Sequence, residues 1–219
     1  SPRAESFRAL RTNLQFLDME GRSSFVITSS VPSEGKSTTT INLAIALADA
    51  GKRVALIDCD LRKPKVAEYL GIEGGAGLTD VLINRARVGD VMLPWGQRSL
   101  YVLPAGKVPP NPSELLDSPA MADLLLEARR AYDVVLLDSA PLLPVTDAAV
   151  LSRLTDGALL VVGLHKVRRH QLAAAVRTLE AAGGHLLGVV LNRGRGSGEG
   201  EYSYRYAEDR PRRRARRRK

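Results

Sequence analysis

Two kinds of hydrophobic pattern alternate along this chain. Short runs are apolar at nearly every position, as in strands covered on both faces, and between them apolar residues recur at the three- or four-residue spacing of helices. The runs predict strands at residues 24–29, 53–58, 100–103, 134–138, 158–163 and 187–191. The helical spacing predicts helices at residues 1–20, from 36 to Gly51, and at 120–130, 145–154 and 168–182.

This alternation predicts an α/β fold with a mostly parallel sheet and helices on both of its faces. In such sheets, ligands bind beyond the carboxyl ends of the strands. We expect one domain over residues 1–193, which begins with the helix at 1–20. Residues 194–201 (GRGSGEGE) have the composition of a flexible linker, so we expect residues 194–219 to form a linker and tail.

The net charge of +8 belongs to one end of the chain. Residues 210–219 contain seven Arg, one Lys and no acidic residue, so the charges of the other 209 residues sum to zero. An Arg-rich run attracts anions, for example an anionic membrane surface. The domain itself has no basic excess, and nucleic acid is therefore not an expected partner.

Other features bear on where the chain works. Apolar residues make up 44% of it, but no run approaches the roughly 18–20 apolar residues that span a bilayer, and no signal peptide is visible. The single cysteine, Cys59, cannot form an internal disulfide, which fits a reducing compartment. Because the sequence begins at Ser1, we expect a fragment or processed product, and a membrane segment could lie outside it.

A phosphate-binding loop is predicted between the first strand and the following helix. Residues 30–37 (SVPSEGKS) match the pattern G-x-x-x-x-G-K-[ST], except that Ser30 replaces the first glycine. Backbone N–H groups of such a loop surround phosphate oxygens, Lys36 reaches the β- and γ-phosphates, and the Ser37 hydroxyl is placed to bind magnesium. The strand before and the helix after favour this interpretation over a chance turn. The predicted nucleotide contacts are Ser33, Glu34, Gly35, Lys36, Ser37 and Thr38, with Asn192 and Arg193 placed near the adenine.

Three carboxylates follow predicted strands. Asp138 ends the strand at 134–138, while Asp58 and Asp60 leave the strand at 53–58 and point the same way. Each could bind magnesium directly or through water, or accept a proton from an incoming hydroxyl. The alternative is a loop of solvated acids with a salt-bridged Arg62.

At this point the sequence resembles bacterial tyrosine kinases (BY-kinases), the cytoplasmic partners of polysaccharide chain-length regulators. The resemblance covers about residues 3–206. Residues 30–37, 55–62 and 134–141 are similar to the family's Walker A, A′ and B motifs, and residues 110–116 (PNPSELL) are also similar. Two further features match the family. Glu5, Arg8 and Arg11 match its E-x-x-R-x-x-R motif, and Tyr202, Tyr204 and Tyr206 match its tyrosine cluster.

The residues themselves leave alternatives for these two features. The charged residues of the first motif share one stripe of the predicted helix, which suits either an interface or a solvated face. The alternating tyrosines could form a sheet edge or a stacking platform for bases. Their place after a Gly-rich linker favours a mobile substrate segment.

The resemblance implies a P-loop NTPase fold, ATP and Mg²⁺ as cofactors, and tyrosine kinase activity. Lys36, Asp58, Asp60 and Asp138 would be catalytic, with Asp58 as the base. Ser37, Asp60 and Asp138 would hold the metal ion. Phosphate would be transferred to Tyr202, Tyr204 and Tyr206 of a neighbouring copy, within a ring whose interfaces involve Glu5, Arg8 and Arg11.

The resemblance also implies partners and a location. A transmembrane chain-length regulator, fused upstream or separate, would activate the kinase at the cytoplasmic face of the plasma membrane. Phosphorylation would break up the ring and so regulate polysaccharide synthesis and export, and a tyrosine phosphatase would reverse it.

Two other functions fit parts of the sequence. Positioning ATPases of the Min/Par type share the fold, but they carry a lysine where this chain has Val31. A non-catalytic, nucleotide-gated adaptor could dock through the Arg-rich tail, and such binding would collapse with added salt. No metal site is expected from His165, His170 and His185, whose spacing with Cys59 does not suggest one.

Overall fold

A computed structural model describes residues 2–19, 21 and 23–193 of the chain. The strands are β1 (Ser24–Ser29), β2 (Val54–Asp58), β3 (Leu93–Pro94), β4 (Leu100–Leu103), β5 (Val134–Asp138), β6 (Ala158–Gly163) and β7 (Leu186–Asn192). The helices are α1 (Pro2–Met19), α2 (Lys36–Asp49), α3 (Val66–Leu70), α4 (Leu78–Leu82), α5 (Val88–Val91), α6 (Pro112–Leu116), α7 (Pro119–Ala131), α8 (Asp147–Leu154) and α9 (Arg169–Ala181).

The strands form one sheet in the order β3-β4-β2-β5-β1-β6-β7. Every pairing is parallel except that of β3 with β4. The predicted mostly parallel α/β fold is therefore confirmed. Because β1, β2, β5, β6 and β7 run in one direction, their carboxyl ends meet at one edge, which is where the sequence motifs converge.

Alternate residues of the strands pack into two separate cores, one on each face. In β1, Val26 belongs to a core covered by α4, α7, α8 and α9, while Phe25 and Ile27 belong to a core covered by α1, α2 and α3. Phe25 and Ile27 are only 1% exposed, and burying a side chain of this size stabilises the fold by roughly 1.5–3 kcal/mol. Helices thus cover both faces, as the continuous apolar runs indicated.

The short elements differ from the sequence-based prediction. Helices α3, α4, α5 and α6 and the two-residue strand β3 were not predicted, and residues 112–116 form a helix instead of a turn. Helices of four or five residues are too short to show a periodic pattern, and tertiary contacts stabilise them. Strand β7 also differs, since it lies at the sheet edge and exposes Val189 and Leu191.

Two predictions concern the ends of the domain. Among the described helices, none is long and apolar enough to cross a bilayer. The tail at 194–219, with its predicted linker, tyrosines and Arg-rich run, lies outside the described residues.

Candidate nucleotide and phosphoryl-transfer site

The phosphate-binding loop connects β1 to α2. Gly35 caps the amino end of α2 with a φ of 89°, in the left-handed region that favours glycine. A Cβ atom at Gly35 would also lie 2.0 Å from Nδ2 of Asn192. Ser30 does not have a positive φ, so a side chain is tolerated at this position, where the consensus has glycine. The conformation of the loop thus explains both the glycine it keeps and the one it lacks.

Glu34 supports the loop from behind. Its buried carboxylate accepts hydrogen bonds from the backbone N–H groups of Ser30 at 2.8 Å, Val31 at 2.9 Å and Gly163 at 2.9 Å. Asn192 adds a hydrogen bond from Nδ2 to the carbonyl oxygen of Glu34 at 2.9 Å. The side chains of Glu34 and Asn192, predicted as nucleotide contacts, therefore hold the loop and do not line the cavity in front of it.

The cavity in front of the loop measures about 410 Å³, within the size range of ligand pockets. Six of the predicted nucleotide contacts line it: Ser33, Gly35, Lys36, Ser37, Thr38 and Arg193. Other lining residues were not predicted as contacts, either because they lie outside the motifs or because their side chains have no assigned role within them. These are Ser29, Pro32, Arg62, Lys63, Lys65, Tyr69, Ala140, Pro141, Pro144 and Val145.

Lys36 lies between two of the predicted carboxylates. Its Nζ atom is 3.0 Å from Oδ1 of Asp138 and 3.5 Å from Oδ2 of Asp60, and it donates a hydrogen bond to Oγ of Ser37 at 3.2 Å. Burial alone would lower the pKa of Lys36, but attraction by Asp138, then by Asp60, raises it above its usual value. Lys36 is therefore a fully charged ammonium within a carboxylate cluster.

Asp58 is buried, and its carboxylate accepts hydrogen bonds from backbone N–H groups. Its Oδ2 accepts hydrogen bonds from the N–H groups of Lys65 at 3.1 Å and Val66 at 3.0 Å, at the start of α3, and its Oδ1 accepts one from Asp60 at 3.2 Å. Burial, followed by repulsion from Asp138, raises the pKa of Asp58 to about 7. Asp60 lines the cavity, whereas Asp58 does not.

The oxygen atoms near Lys36 suit a hard divalent cation. Mg²⁺ prefers oxygen ligands, and Ser37, Asp60 and Asp138 supply them. Among buried side-chain atoms of the described residues, Oδ2 of Asp138 has no hydrogen-bond partner, although Asp138 is fully buried and is not among the residues that line the cavity. The described His, Cys, Asp and Glu side chains do not form a ready-made group of three metal ligands. The site thus fits a metal ion bound together with the nucleotide better than one bound by protein alone.

An ion-pair network beside the cavity was missed in part. Arg62 was considered as a salt-bridged residue, and it does pair with Asp147, at 2.8 Å from Nε to Oδ2. Ser113 joins this pair through its hydroxyl. An Asp at a helix start indicates only a possible cap, so no local pattern predicted that Asp147 and Ser113 meet Arg62.

The charged residues of α1 take different positions. Arg8 and Glu5 form an exposed pair at 2.9 Å, one turn apart. Arg11 is partly buried and donates from Nη1 to the carbonyl oxygen of Ala46 in α2 at 3.5 Å. Glu5 and Arg8 therefore remain accessible to another molecule, while Arg11 packs against its own domain. Tyr202, Tyr204 and Tyr206 lie outside the described residues.

Comparison with known proteins agrees with this geometry. The fold and the loop define a P-loop nucleotide-binding domain, and the family model for the CobQ/CobB/MinD/ParA nucleotide binding domain (CbiA) matches residues 25–214. Tyrosine-protein kinase YwqD of Bacillus subtilis (strain 168) is 42% identical over 190 residues, which are 86% of this chain and 80% of that protein.

Solved structures give the same result. The crystal structure of the chimerical protein CapA2B2 has a TM-score of 0.85 at 38% identity, with 88% of this chain and 85% of that chain covered. The kinase domain of Escherichia coli tyrosine kinase ETK has a TM-score of 0.84 at 34% identity, with 93% and 80% covered. This chain belongs to the bacterial tyrosine kinases, a nucleotide-binding P-loop family, which confirms the resemblance and the enzyme class predicted from the motifs.

Proposed function

We propose that this kinase transfers the γ-phosphate of ATP to Tyr202, Tyr204 and Tyr206 of a neighbouring copy. The observation that carries this proposal is the convergence of Lys36, Asp60 and Asp138 beside a cavity lined by the phosphate-binding loop. Phosphoryl transfer depends mainly on positioning and on neutralising phosphate charge, and these residues supply both.

The groups of the loop would act on the triphosphate. Backbone N–H groups of residues 33–38 and the amino end of α2 bind its oxygen atoms, and Lys36 exchanges its carboxylate partners for the β- and γ-phosphates. Mg²⁺, held by Ser37, Asp60 and Asp138, would neutralise charge on the phosphates. The tyrosine oxygen forms a bond to the γ-phosphorus as the bond to ADP breaks, and the hydroxyl proton passes to a carboxylate.

Asp58 was expected from the resemblance to accept this proton. A pKa of about 7 suits a general base near neutral pH. Its oxygens, however, accept backbone N–H groups and do not line the cavity, so the role requires the turn after β2 to rearrange when substrate binds. Asp60 already lines the cavity. Asp58→Asn and Asp60→Asn, compared by single-turnover transfer at saturating Mg-ATP, distinguish these two carboxylates.

We further propose a regulatory setting for this activity. Glu5 and Arg8 are exposed and could contact a second copy, as a ring requires, and phosphate added to the tails would favour release. A transmembrane chain-length regulator, fused or separate, would activate the kinase at the cytoplasmic membrane face. A tyrosine phosphatase would reset the assembly, and the cycle would control polysaccharide synthesis and export. The Arg-rich run at 210–219 could add about 1 kcal/mol per basic residue at an anionic membrane surface.

The central test is phosphate mapping after incubation of the purified chain with Mg-ATP. We expect phosphotyrosine at Tyr202, Tyr204 and Tyr206, and its loss when all three are changed to Phe. Tyr101→Phe is the control, because Tyr101 lies in the sheet away from the cavity and should label no differently. If the triple Phe variant labels as strongly as the parent chain, the tail is not the substrate.

A further inference from the structure

An ion pair with one buried partner joins two walls of the nucleotide cavity. The side chain of Asp147, at the first position of α8, has no exposed surface, whereas that of Arg62 is 37% exposed. Nε of Arg62 donates to Oδ2 of Asp147 at 2.8 Å, and Nη2 donates to Oδ1 at 3.2 Å. Two parallel hydrogen bonds of this kind set the orientation of the guanidinium group as well as its position.

Ser113 closes this pair into a three-membered network. Nη2 of Arg62 donates to Oγ of Ser113 at 2.8 Å, and the Ser113 hydroxyl donates to Oδ1 of Asp147 at 2.7 Å. The members come from the turn after β2, from α6 and from α8, which are far apart in sequence. We call Arg62, Asp147 and Ser113 the Arg62 network.

The Arg62 network restricts the turn that carries Asp60. Asp60 and Arg62 share a turn that is closed by a hydrogen bond from the N–H of Lys63 to Oδ1 of Asp60, at 3.0 Å. The other oxygen of Asp60 lies 3.5 Å from Nζ of Lys36. Anchoring the Arg62 side chain therefore limits how far this turn, and the carboxylate it carries, can move.

The Arg62 network also fixes the cavity wall formed by the segment before α8. Pro144 and Val145 line the cavity, and the chain reaches Asp147 two residues later. Because Asp147 is buried and paired, the start of α8 cannot shift without breaking the ion pair. The same contact thus holds the Asp60 turn and the opposite wall at a set separation.

We propose that Arg62 is a positioning residue, which acts through Asp147 and Ser113 to hold the Asp60 carboxylate where a nucleotide-bound metal ion is coordinated. This inference rests on the proposed function and assigns roles to Asp147 and Ser113, which lie outside the nucleotide-binding motifs. The competing role for Arg62 is direct contact with phosphate, since it lines the cavity. The two roles differ in what Asp147 does. In the first role, Asp147 is needed for activity; in the second, it only withdraws Arg62 from the phosphate.

The test compares Arg62→Lys, Asp147→Asn, Ser113→Ala and the Arg62→Lys/Asp147→Asn double variant in the full chain. Nucleotide affinity is measured with a fluorescent ATP analogue in EDTA and across a Mg²⁺ titration, and kcat and KM are measured for tyrosine phosphorylation. Changes to groups that orient metal ligands typically cost about 10- to 100-fold in metal affinity or activity. For Arg62→Lys and Asp147→Asn, we expect losses of this size in kcat and in the apparent affinity for Mg²⁺. Nucleotide affinity in EDTA should stay within about twofold of that of the parent chain. Ser113→Ala should lose less.

The double variant should be no worse than the worse single variant, because both changes break one interaction. Arg129→Lys is the matched control: the side chain of Arg129 is also 37% exposed and pairs with Asp156 at 3.0 Å, but away from the cavity. It should alter melting temperature without altering Mg²⁺ dependence.

Three results would overturn the inference. One is parent-like kcat in Asp147→Asn with strong loss in Arg62→Lys, which would indicate direct phosphate contact. The second is multiplying losses in the double variant, and the third is a loss that follows melting temperature alone, as in the control. If the parent chain forms no phosphotyrosine, the proposed function fails, yet the Mg²⁺ titration of nucleotide binding still decides the role of the Arg62 network.

Discussion

Carboxylates at the two ends of the parallel strands, called here the amino edge and the carboxyl edge of the sheet, have opposite environments. At the amino edge, Asp156 accepts hydrogen bonds from the N–H groups of Ser23 at 2.8 Å and Ser24 at 2.9 Å, and it pairs with Arg129 at 3.0 Å. Burial alone would raise the pKa of Asp156, but these hydrogen bonds lower it below its usual value. Asp156 and Arg129 thus have partners, and their pairing stabilises the fold.

At the carboxyl edge, three carboxylates share one cationic side chain. Asp58, Asp60 and Asp138 surround Lys36, and Oδ2 of Asp138 has no hydrogen-bond partner in the described part of the chain. The pKa of Asp58 is raised to about 7, mainly by burial and then by Asp138. Such imbalance costs stability, and it is typical of sites where a ligand completes the charge. The contrast separates a carboxylate that holds the fold from a cluster that we propose serves phosphoryl transfer.

The sharpest way to break this comparison is Lys36→Met. It removes both the cation of the cluster and the predicted phosphate contact, so phosphotyrosine should fall below detection. Breaking one partner out of a buried ion pair also costs about 3–5 kcal/mol, and the melting temperature should fall. Arg129→Met at the amino edge should lower melting temperature but keep phosphorylation. Labelling that persists in Lys36→Met would remove the site from the proposed chemistry.

Next in size is the effect of a methyl group at either end of α2. Gly35 and Gly51 have nearly equal φ values, 89° and 87°, but a Cβ at Gly51 meets nothing within 4 Å, whereas one at Gly35 meets Asn192. Gly51→Ala should cost only the conformational strain of about 1–2 kcal/mol. Gly35→Ala should add a clash that reshapes the loop and weakens nucleotide binding at least about tenfold, or 1.4 kcal/mol. Equal nucleotide affinities in the two variants, measured by calorimetry, would contradict this role of the loop.

The pH dependence of stability sharpens the comparison further. An Asp in the unfolded chain has a pKa of about 3.9. Because the pKa of Asp58 is raised on folding, its stabilising contribution is present below about pH 4 and is lost as the pH rises toward about 7. Because the pKa of Asp156 is lowered, its contribution is present above about pH 4 and is lost as the pH falls through the folded value.

These opposite trends can be separated by urea unfolding of the nucleotide-free chain from pH 3 to 8. Asp58→Asn should flatten the decline of the unfolding free energy between about pH 4 and 7, and Asp156→Asn should flatten the decline on the acid side. Two variants that alter the same pH range would show that the carboxylates do not differ as the structure indicates.

The smallest effect on the single chain should come from Arg8→Ala combined with Arg11→Ala. Arg8 forms an exposed one-turn pair with Glu5, worth about 0.2–0.5 kcal/mol, and the bond from Arg11 to Ala46 is long at 3.5 Å. Melting temperature should therefore change little, while light scattering should report a lower oligomeric mass. An unchanged mass would exclude these residues from the interface.

Local sequence predicted the loop that connects β1 to α2 because its strand, glycine, lysine and helix are contiguous. The tips of β2 and β5 were predicted for the same reason, since an apolar run followed by Asp58 or Asp138 is a local pattern. Short helices such as α6 were missed, because four or five residues show no period and depend on packing. The orientation of Asp58 toward the start of α3 was also missed, because it depends on a turn that the motif does not specify.

By itself, the sequence determined the fold class, the strand tips and the phosphate-binding loop, all of which follow from neighbouring residues. Only the tertiary structure decided which distant groups meet: Asn192 with Glu34, and Arg62 with Asp147 and Ser113. The physical reason is the order of strands in the sheet. Placing β1 between β5 and β6 brings segments from across the chain together at the carboxyl ends of the strands. No local pattern encodes which of these segments come into contact.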